Sequence, residues 1–438
     1  MSAFPPGFTW GVATSAYQIE GAAAEDGRTP SIWDTHCARP GAIADGSTGE
    51  AACDHYHRWA ADLDLLSGLG AGAYRFSVSW PRVQPDSSGR ANAAGLDFYD
   101  RLVDGLAERG ITPVVTLLHW DLPQWVQDAG GWPARDTAAR FADYVSLVAG
   151  RLGDRVGVWT PVNEMLEHCM LGHLTGDHAP GLTLPFEDCF AVAHHLLLGH
   201  GLAVRALRAV APGQVMAVCS FAPARAFSAS AADAEMTSLY DILQNRLFTE
   251  PLLLGRYPAE LEALTAPWLR DGDTELIAGP PDLLGVNYYA IYAVRATAGR
   301  VPLEIVPPPG YPVTASGWAV APDGLTETLR ALRARYGAAL PPVVISENGC
   351  ACDDILDAGA CHDPDRIAYL DAHVQAVRQA LADGIDVRGF YVWSLLDNFE
   401  WAAGHTKRFG LVHVDYPTQA RTPKSSYHWY QNLIRTVG

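Results

Sequence analysis

Short apolar runs alternate with longer amphipathic stretches along most of the chain. The runs have the length and the Val, Ile and Leu content of strands that are buried on both faces of a parallel sheet. Each run is followed by a turn signal or by a polar residue, which is typical of a strand leaving its sheet. The predicted strands cover residues 8–15, 73–80, 111–118, 156–164, 214–221, 283–289, 343–349 and 387–393.

The stretches between these runs repeat apolar residues every three or four positions, the pattern of a helix with one buried face. The helix predicted to begin at about residue 54 has this face at Tyr56, Ala60, Leu63, Leu66 and Leu69. Further helices are predicted at 93–108, from 136, at 189–210, 232–248 and 323–336, around 367–381 and at 425–435. Asp136 is expected to cap the helix that it begins.

Eight strands alternating with eight helices predict a parallel (β/α)8 barrel, a TIM barrel, with elaborated loops at its carboxyl-terminal face. Residues 290–322 contain five prolines between Pro302 and Pro312 and are predicted to form a loop excursion. No linker or repeat divides the sequence, so residues 1–438 are predicted to be a single catalytic domain.

Composition limits the possible partners. With 49% hydrophobic residues and a net charge of −18, the chain can bury a large core and is a poor match for nucleic acid or an anionic membrane. The first residues lack the basic and apolar regions of a targeting segment, and no run of 18 apolar residues predicts a membrane span. We therefore expect a cytoplasmic protein, and an assembly of identical chains stays open.

Eight cysteines are scattered along the chain, and only Cys350, Cys352 and Cys361 lie close together. With His362 they could suggest a metal site, but no second pair or His cluster completes it. Free thiols in a reducing compartment are the favoured interpretation, and we expect no metal and no cofactor.

Two predicted strands end in a carboxylate. In the stretch 343–349, Glu347 is the last residue before the turn signal Asn348-Gly349, and Glu164 is the last residue of the run 156–164. Either side chain alone could simply leave the sheet for solvent. Because the carboxyl ends of parallel strands meet at one face of a barrel, the two acids are predicted to form a chemical pair there.

Other polar and aromatic residues share these strand ends. They are Gln18, Arg75, His119, Trp120, Asn163, Asn287, Tyr289, Trp393, Glu400 and Trp401. Singly, the indoles and His119 are better explained as core packing, whereas an Arg inside an apolar strand must face an acid. As a set they suit a sugar, because indoles stack on ring faces while carboxylates, amides and imidazoles bind hydroxyls.

These motifs resemble glycoside hydrolase family 1, the β-glucosidase family of retaining enzymes. The matching segments are 4–14, 18–21, 74–82, 118–123, 163–164, 287–289, 345–349, 393–401 and 408–415. The resemblance implies an exo-acting β-glycosidase, most simply a β-glucosidase, that acts on small β-glycosides. Three positions depart from the family pattern on the leaving-group side: Pro161, Met165 and the end of the fifth strand, which lacks an expected Asn.

The resemblance also implies roles. Glu164 would be the acid/base and Glu347 the nucleophile, supported by Arg75 and Asn287. The remaining residues would bind the sugar, with Trp393 as the floor under its ring and Tyr289 also orienting the nucleophile. This second set comprises Gln18, His119, Trp120, Asn163, Tyr289, Trp393, Glu400 and Trp401.

Three other interpretations stay open. A 6-phospho-β-glycosidase would hold phosphate with Ser, Lys and Tyr in the last loop, where this chain has Glu400, Lys407 and Phe409. A carboxylate there would repel phosphate. A non-catalytic sugar-binding barrel would be expected to have lost one acid, and both are present. A transglycosidase would share the covalent intermediate, so only its products would distinguish it.

Overall fold

The computed structural model describes residues 4–299 and 301–437. Residues 1–3, the start of the stretch in which no targeting segment is expected, lie outside the described residues. The strands in chain order are β1 (Thr9–Ala13), β2 (Ala73–Ser77), β3 (Thr112–Leu118), β4 (Val158–Val162), β5 (Gln214–Ser220), β6 (Ala224–Ala226), β7 (Leu283–Asn287), β8 (Tyr292–Ala296), β9 (Leu303–Val306), β10 (Val343–Asn348), β11 (Leu356–Asp357), β12 (Ala360–Cys361), β13 (Val387–Trp393), β14 (Val412–Asp415) and β15 (Ala420–Pro423).

The helices connect and cover these strands. They are α1 (Ala16–Ile19), α2 (Ile32–Cys37), α3 (His55–Leu69), α4 (Trp80–Val83), α5 (Ala93–Glu108), α6 (Gln124–Asp128), α7 (Asp136–Leu152), α8 (Met165–Cys169), α9 (Cys189–Val210), α10 (Ala231–Asp241), α11 (Thr249–Leu254), α12 (Glu262–Thr265), α13 (Asp273–Ile277), α14 (Pro322–Tyr336), α15 (Pro364–Ala382) and α16 (Ser425–Val437). Short π-helical turns at Met170–Thr175 and Ile242–Arg246 follow α8 and α10.

Eight parallel strands close the predicted barrel, in the order β1-β13-β10-β7-β5-β4-β3-β2. Its interior is filled by a small apolar cluster to which several barrel strands contribute, with Val114, Met216, Val344 and Tyr391 among its members. The larger apolar cluster lies between the strands and the surrounding helices. The (β/α)8 fold is therefore confirmed, and the barrel is a packed core whose carboxyl end carries the loops.

Several predicted elements coincide with the structure, and others differ. α5, α9 and β13 have the predicted bounds. The helix predicted at 232–248 is instead divided into α10 and a π-helical turn. The predicted loop excursion at 290–322 contains β8 and β9, which form a three-stranded sheet with β6. Prolines flank β9 rather than interrupt it, so its backbone N–H groups remain free to pair.

Two local expectations in the helices are wrong. Asp136 makes no side-chain cap, because Arg135 occupies the cap position and Asp136 lies in the first turn, where its charge still favours the helix dipole. Ala60 is exposed on α3, while Asp62 two residues further is buried. Asp62 is accommodated there by a hydrogen bond with His55 and an ion pair with Arg421.

α9 is long and apolar enough to cross a membrane, yet 83% of its 18-residue apolar window is buried inside the protein. It packs along α7, and a Cβ at Gly199 would lie 3.1 Å from the Trp132 ring. Burial on this scale is typical of a core helix of a globular protein.

Candidate active site

β10 carries Glu347 to the centre of the barrel mouth through an irregularity in its pairing. The register of β10 against β7 shifts between Ile345 and Glu347, and its register against β13 shifts over the same stretch. Such bulges re-aim side chains next to active sites. Gly349 follows because a Cβ there would lie 1.8 Å from the carbonyl oxygen of Trp393.

Glu347 is held as a buried anion by two donors. Nη1 of Arg75 forms a short ion pair with its Oε1, and the hydroxyl of Tyr289 donates to its Oε2 over 2.7 Å. Arg75 is completely buried and Glu347 is 3% exposed. Hydrogen bonds from a cation and a phenol leave this carboxylate charged, fixed in orientation and shielded from water.

Glu164 has the opposite environment. Its Oε1 accepts one hydrogen bond, from Nδ2 of Asn287 over 2.8 Å. Burial, then the nearby Glu167 and then Glu347, raise the pKa of Glu164 well above its usual range, against the weaker opposing effects of Asn287 and Arg75. Burial and acidic neighbours thus favour the protonated form of Glu164, whereas a cation and a phenol bind the carboxyl of Glu347.

Asn163 connects the two acids. Its Oδ1 accepts from Nη2 of Arg75 over 2.6 Å and from Nδ2 of Asn287 over 3.2 Å. Its Nδ2 faces Nε2 of His119 at 3.1 Å. Burial and Arg75 hold the pKa of His119 well below its usual range, so the ring is neutral and Nε2 accepts. Trp120 fixes the backbone by donating from Nε1 to the carbonyl of Asn163 over 2.9 Å.

The placement of Asn287 corrects one expectation. It was predicted to support the nucleophile, but among the described contacts its amide donates to Glu164 and Asn163, not to Glu347. The hydroxyl of Ser346 donates to its Oδ1 over 2.7 Å and thereby fixes which end of the amide faces Glu164. Asn287 therefore supports the carboxyl that keeps its proton.

Gln18 and Glu400 form a polar wall on the other side of the mouth. Nε2 of Gln18 lies 3.3 Å from Oε2 of Glu400 and also donates to Oδ1 of Asn398 over 3.0 Å. Burial and the charge of Glu347 raise the pKa of Glu400 to about 8, although hydrogen bonds from Gln18 and Trp393 oppose the shift. Acceptors and donors so placed can bind adjacent hydroxyls of one sugar.

Aromatic rings line the same mouth. The rings of Trp393 and Trp401 lie 5.6 and 5.9 Å from the His119 ring, both nearly parallel to it. Trp120 packs on Trp401 with centroids 4.8 Å apart. Three residues of the site, Trp120, Glu164 and Trp401, have left-handed backbone with φ of 75°, 44° and 49°. Strained backbone of this kind persists at sites where the surrounding structure holds it.

The structure thus brings all the sequence-predicted site residues into one connected set around the barrel mouth. Sequence reasoning missed a further acid, Glu167, which the structure places beside Ser220 and Gln244. Its only sequence signal is the spacing of three residues after Glu164, which puts both on the same side of a helical turn.

Two sites considered from the sequence involve residues outside this set: a phosphate site with Lys407 and Phe409, and a metal site with the clustered cysteines. Nζ of Lys407 donates to the carbonyl of Ala315 over 2.6 Å, and Phe409 packs against Trp318. The sulfurs of Cys350 and Cys352 lie 3.8 Å apart and form no disulfide, and His362 faces Ser425. Over residues 4–299 and 301–437, no group of three or more His, Cys, Asp or Glu side chains forms a metal site.

A profile described as Glycosyl hydrolase family 1 matches residues 1–438. The chain is 48% identical to thermostable beta-glucosidase B of Thermobispora bispora, over 99% of this chain and 91% of that protein. It is 46% identical to a bifunctional beta-D-glucosidase/beta-D-fucosidase of Bifidobacterium breve, over 98% of each.

Solved structures agree with these sequence matches. A GH1 beta-glucosidase from Exiguobacterium antarcticum B7 superposes with a TM-score of 0.95 at 39% identity, covering 99% of both chains. Beta-glucosidase from Thermotoga maritima in complex with glucoimidazole superposes with a TM-score of 0.94 at 41% identity, covering 100% of this chain and 99% of that one.

Proposed function

Since this chain belongs to glycosyl hydrolase family 1, we propose that it cleaves β-glucosides by double displacement, with Glu347 as nucleophile and Glu164 as acid/base. It is an O-glycosyl hydrolase of the β-glucosidase type, and relatives named beta-glucosidase match it over nearly their whole length. Its substrates are small β-glycosides. The assignment of residues to steps rests on the local chemistry of the barrel mouth.

In the first step Glu347 attacks the anomeric carbon as a carboxylate. A C–O bond forms between them while the bond to the leaving oxygen breaks, and Glu164 gives its proton to that oxygen. Arg75 and Tyr289 keep Glu347 ionised and aimed until the attack. Because its pKa is raised, Glu164 still carries at neutral pH the proton that it gives to the leaving oxygen.

In the second step the polarity reverses. Once esterified, Glu347 no longer carries the negative charge that helps to raise the pKa of Glu164. Glu164 then takes a proton from water as the water oxygen attacks the anomeric carbon, and Glu347 leaves as a carboxylate. Two inversions give net retention. The two carboxyls are expected to lie about 5–5.5 Å apart, as retaining glycosidases require.

The observation that carries this proposal is the contrast between the two acids. Glu347 has a buried guanidinium and a phenol as donors, whereas Glu164 has one amide and a raised pKa. A pocket that only bound sugar would have no need to hold one carboxyl charged and the other protonated.

The polar wall of Gln18 and Glu400 supports a terminal sugar as the group held in the first subsite. Glu400 there does not favour a phosphorylated sugar, and Lys407 is engaged by the carbonyl of Ala315. We also propose a cytoplasmic location, which free thiols such as those of Cys37, Cys53 and Cys219 support. Cell fractionation tests it, and recovery of the protein outside the cytoplasm would contradict it.

The experiment that tests the assignment combines product stereochemistry with two variants. Wild-type enzyme and an aryl β-glucoside should release β-glucose first, as followed by proton NMR of the anomeric signal. Glu347→Ala should abolish turnover. Glu164→Ala should keep the first step for 2,4-dinitrophenyl glucoside, and azide should restore turnover by attacking from the freed side. Initial release of α-glucose, or full activity of Glu164→Ala without azide, would overturn the assignment.

A matched control is Glu20→Ala. Glu20 is also buried and paired with an arginine, Arg82, but contacts neither catalytic carboxyl among the described contacts. Azide should not change its activity.

Adding a sugar or alcohol acceptor and analysing the products measures how much of the glycosyl group is transferred rather than hydrolysed.

A further inference from the structure

Glu167 is a buried acid that neither step of the proposed reaction uses. It lies in the first turn of α8, directly after Glu164. Its Oε1 accepts from the Ser220 hydroxyl through a short hydrogen bond, and Nε2 of Gln244 lies 3.4 Å away. Its Oε2 is buried without a partner among the described residues. Three elements, α8, the end of β5 and the π-helical turn after α10, therefore converge on one carboxyl.

The surroundings of Glu167 contain no cation that would neutralise it among the contacts described. The titratable groups that face it are Glu164 and Glu347, the thiol of Cys219 and the phenols of Tyr240 and Tyr292. Burial raises the pKa of all three neutral groups, that of Cys219 to about 12, so they stay uncharged. Arg75, the cation of the site, forms its ion pair with Glu347.

We propose that Glu167 is a positioning residue of the reaction, fixed by Ser220 and Gln244 beside Glu164 so that its carboxylate holds the acid/base in its proton-carrying form. This inference rests on the proposed function. Burial raises the pKa of Glu167, while the hydrogen bonds from Ser220 and Gln244 favour its charged form. After burial itself, Glu167 is the largest cause of the raised pKa of Glu164, ahead of Glu347.

The consequence is specific to the second step. Glu347 loses its charge when the glycosyl group is attached, whereas Glu167 forms no bond to the sugar and, once ionised, keeps its charge. In the covalent intermediate, Glu164 therefore releases its proton less readily than it would if Glu347 were the only acid near it. The pH range of the enzyme is shifted upward at both ends: the alkaline limit of the first step and the acid limit of the second.

The test is Glu167→Gln, which keeps the size of the side chain and removes its charge. A like charge within about 6 Å shifts a pKa by roughly one unit or more. The alkaline limb of kcat/KM for 4-nitrophenyl β-glucoside should move down by about one pH unit. The acid limb of kcat for 2,4-dinitrophenyl β-glucoside, which reports the second step, should move down by a similar amount. Glu167→Asp, which keeps the charge, should leave both limbs close to those of the wild type.

Ser220→Ala gives a second measurement if the Gln variant does not fold. Removing that hydrogen bond disfavours the charged form of Glu167, so both limbs should move in the same direction by less. Limbs that stay in place in Glu167→Gln, or that move equally in the Gln and Asp variants, would overturn the inference. Unmoved limbs in Ser220→Ala would do so if the Gln variant is unfolded. Absence of hydrolysis by the wild type would instead overturn the proposed function.

Discussion

Replacing Arg75 with Met removes the cation that holds the nucleophile in its charged form. Arg75 is completely buried and donates to Glu347 and Asn163. A charge pair at about 4 Å and an effective dielectric constant near 20 interacts by about 4 kcal/mol. Losing that interaction should lower kcat/KM by roughly 10²–10³-fold, since each 1.36 kcal/mol is a factor of ten.

The conservative variant separates the charge of Arg75 from its hydrogen bonds. Arg75→Lys keeps the charge but cannot donate to both Glu347 and Asn163, so its kcat/KM should fall between those of the wild type and Arg75→Met. The assay is kcat/KM for an aryl β-glucoside from pH 4 to 9, together with thermal unfolding of each variant.

Arg82→Met is the control. Arg82 is also fully buried and pairs with Glu20 over 3.0 Å. Both substitutions leave a buried carboxylate without its cation and should lower stability by about 3–5 kcal/mol, but only the Arg75 variant should lower kcat/KM by the factor given above. A loss of less than threefold in kcat/KM for Arg75→Met would refute the role given to Arg75.

Two other predictions concern Glu400 and Gly349. The pKa of Glu400 is raised to about 8 in the folded protein, so the folded state binds an extra proton and loses stability as pH rises from about 4.5 to 8. Glu400→Gln should therefore reduce the fall in melting temperature over this pH range. An identical fall in the wild type and the variant would contradict the prediction. Gly349→Ala places a Cβ 1.8 Å from the Trp393 carbonyl, so it should lower the free energy of unfolding by about 3 kcal/mol or more in urea titrations; a loss below about 1 kcal/mol would be inconsistent with so close an approach.

The barrel could be predicted because its strands are buried on both faces and appear as apolar runs. The strand ends were less predictable: β4 ends at Val162, whereas the predicted strand continued to Glu164. In the sequence, polar residues at a strand tip cannot be told from the strand itself until the backbone changes direction. Here that change is at Glu164, whose left-handed φ is 44°. β8 and β9 pair with each other and are close in sequence, but the prolines around β9 made the segment look like a loop; only the pairing of β8 with β6 is distant in sequence.

The same distinction applies to the site. Strand topology alone indicates that Glu164 and Glu347 share one end of the barrel. Which amide faces which acid depends on the bulge in β10 and on Ser346, so the partner of Asn287 was not predictable. Glu167 was missed because it lies one turn past a strand tip, and its convergence with Gln244 is tertiary.

α9 has a consequence for how the protein is made. Its 22 residues are hydrophobic enough to enter a bilayer, and only folding conceals them. On the ribosome this segment emerges before α12 and α13, which also pack against it, have been made. Among the elements already synthesised, α7 makes the most extensive contact with α9, and α8 and β4 add smaller ones. Substitutions that loosen the α7 contact should therefore reduce soluble yield more than they reduce the melting temperature of molecules that have matured, a difference that comparing expression with unfolding would reveal.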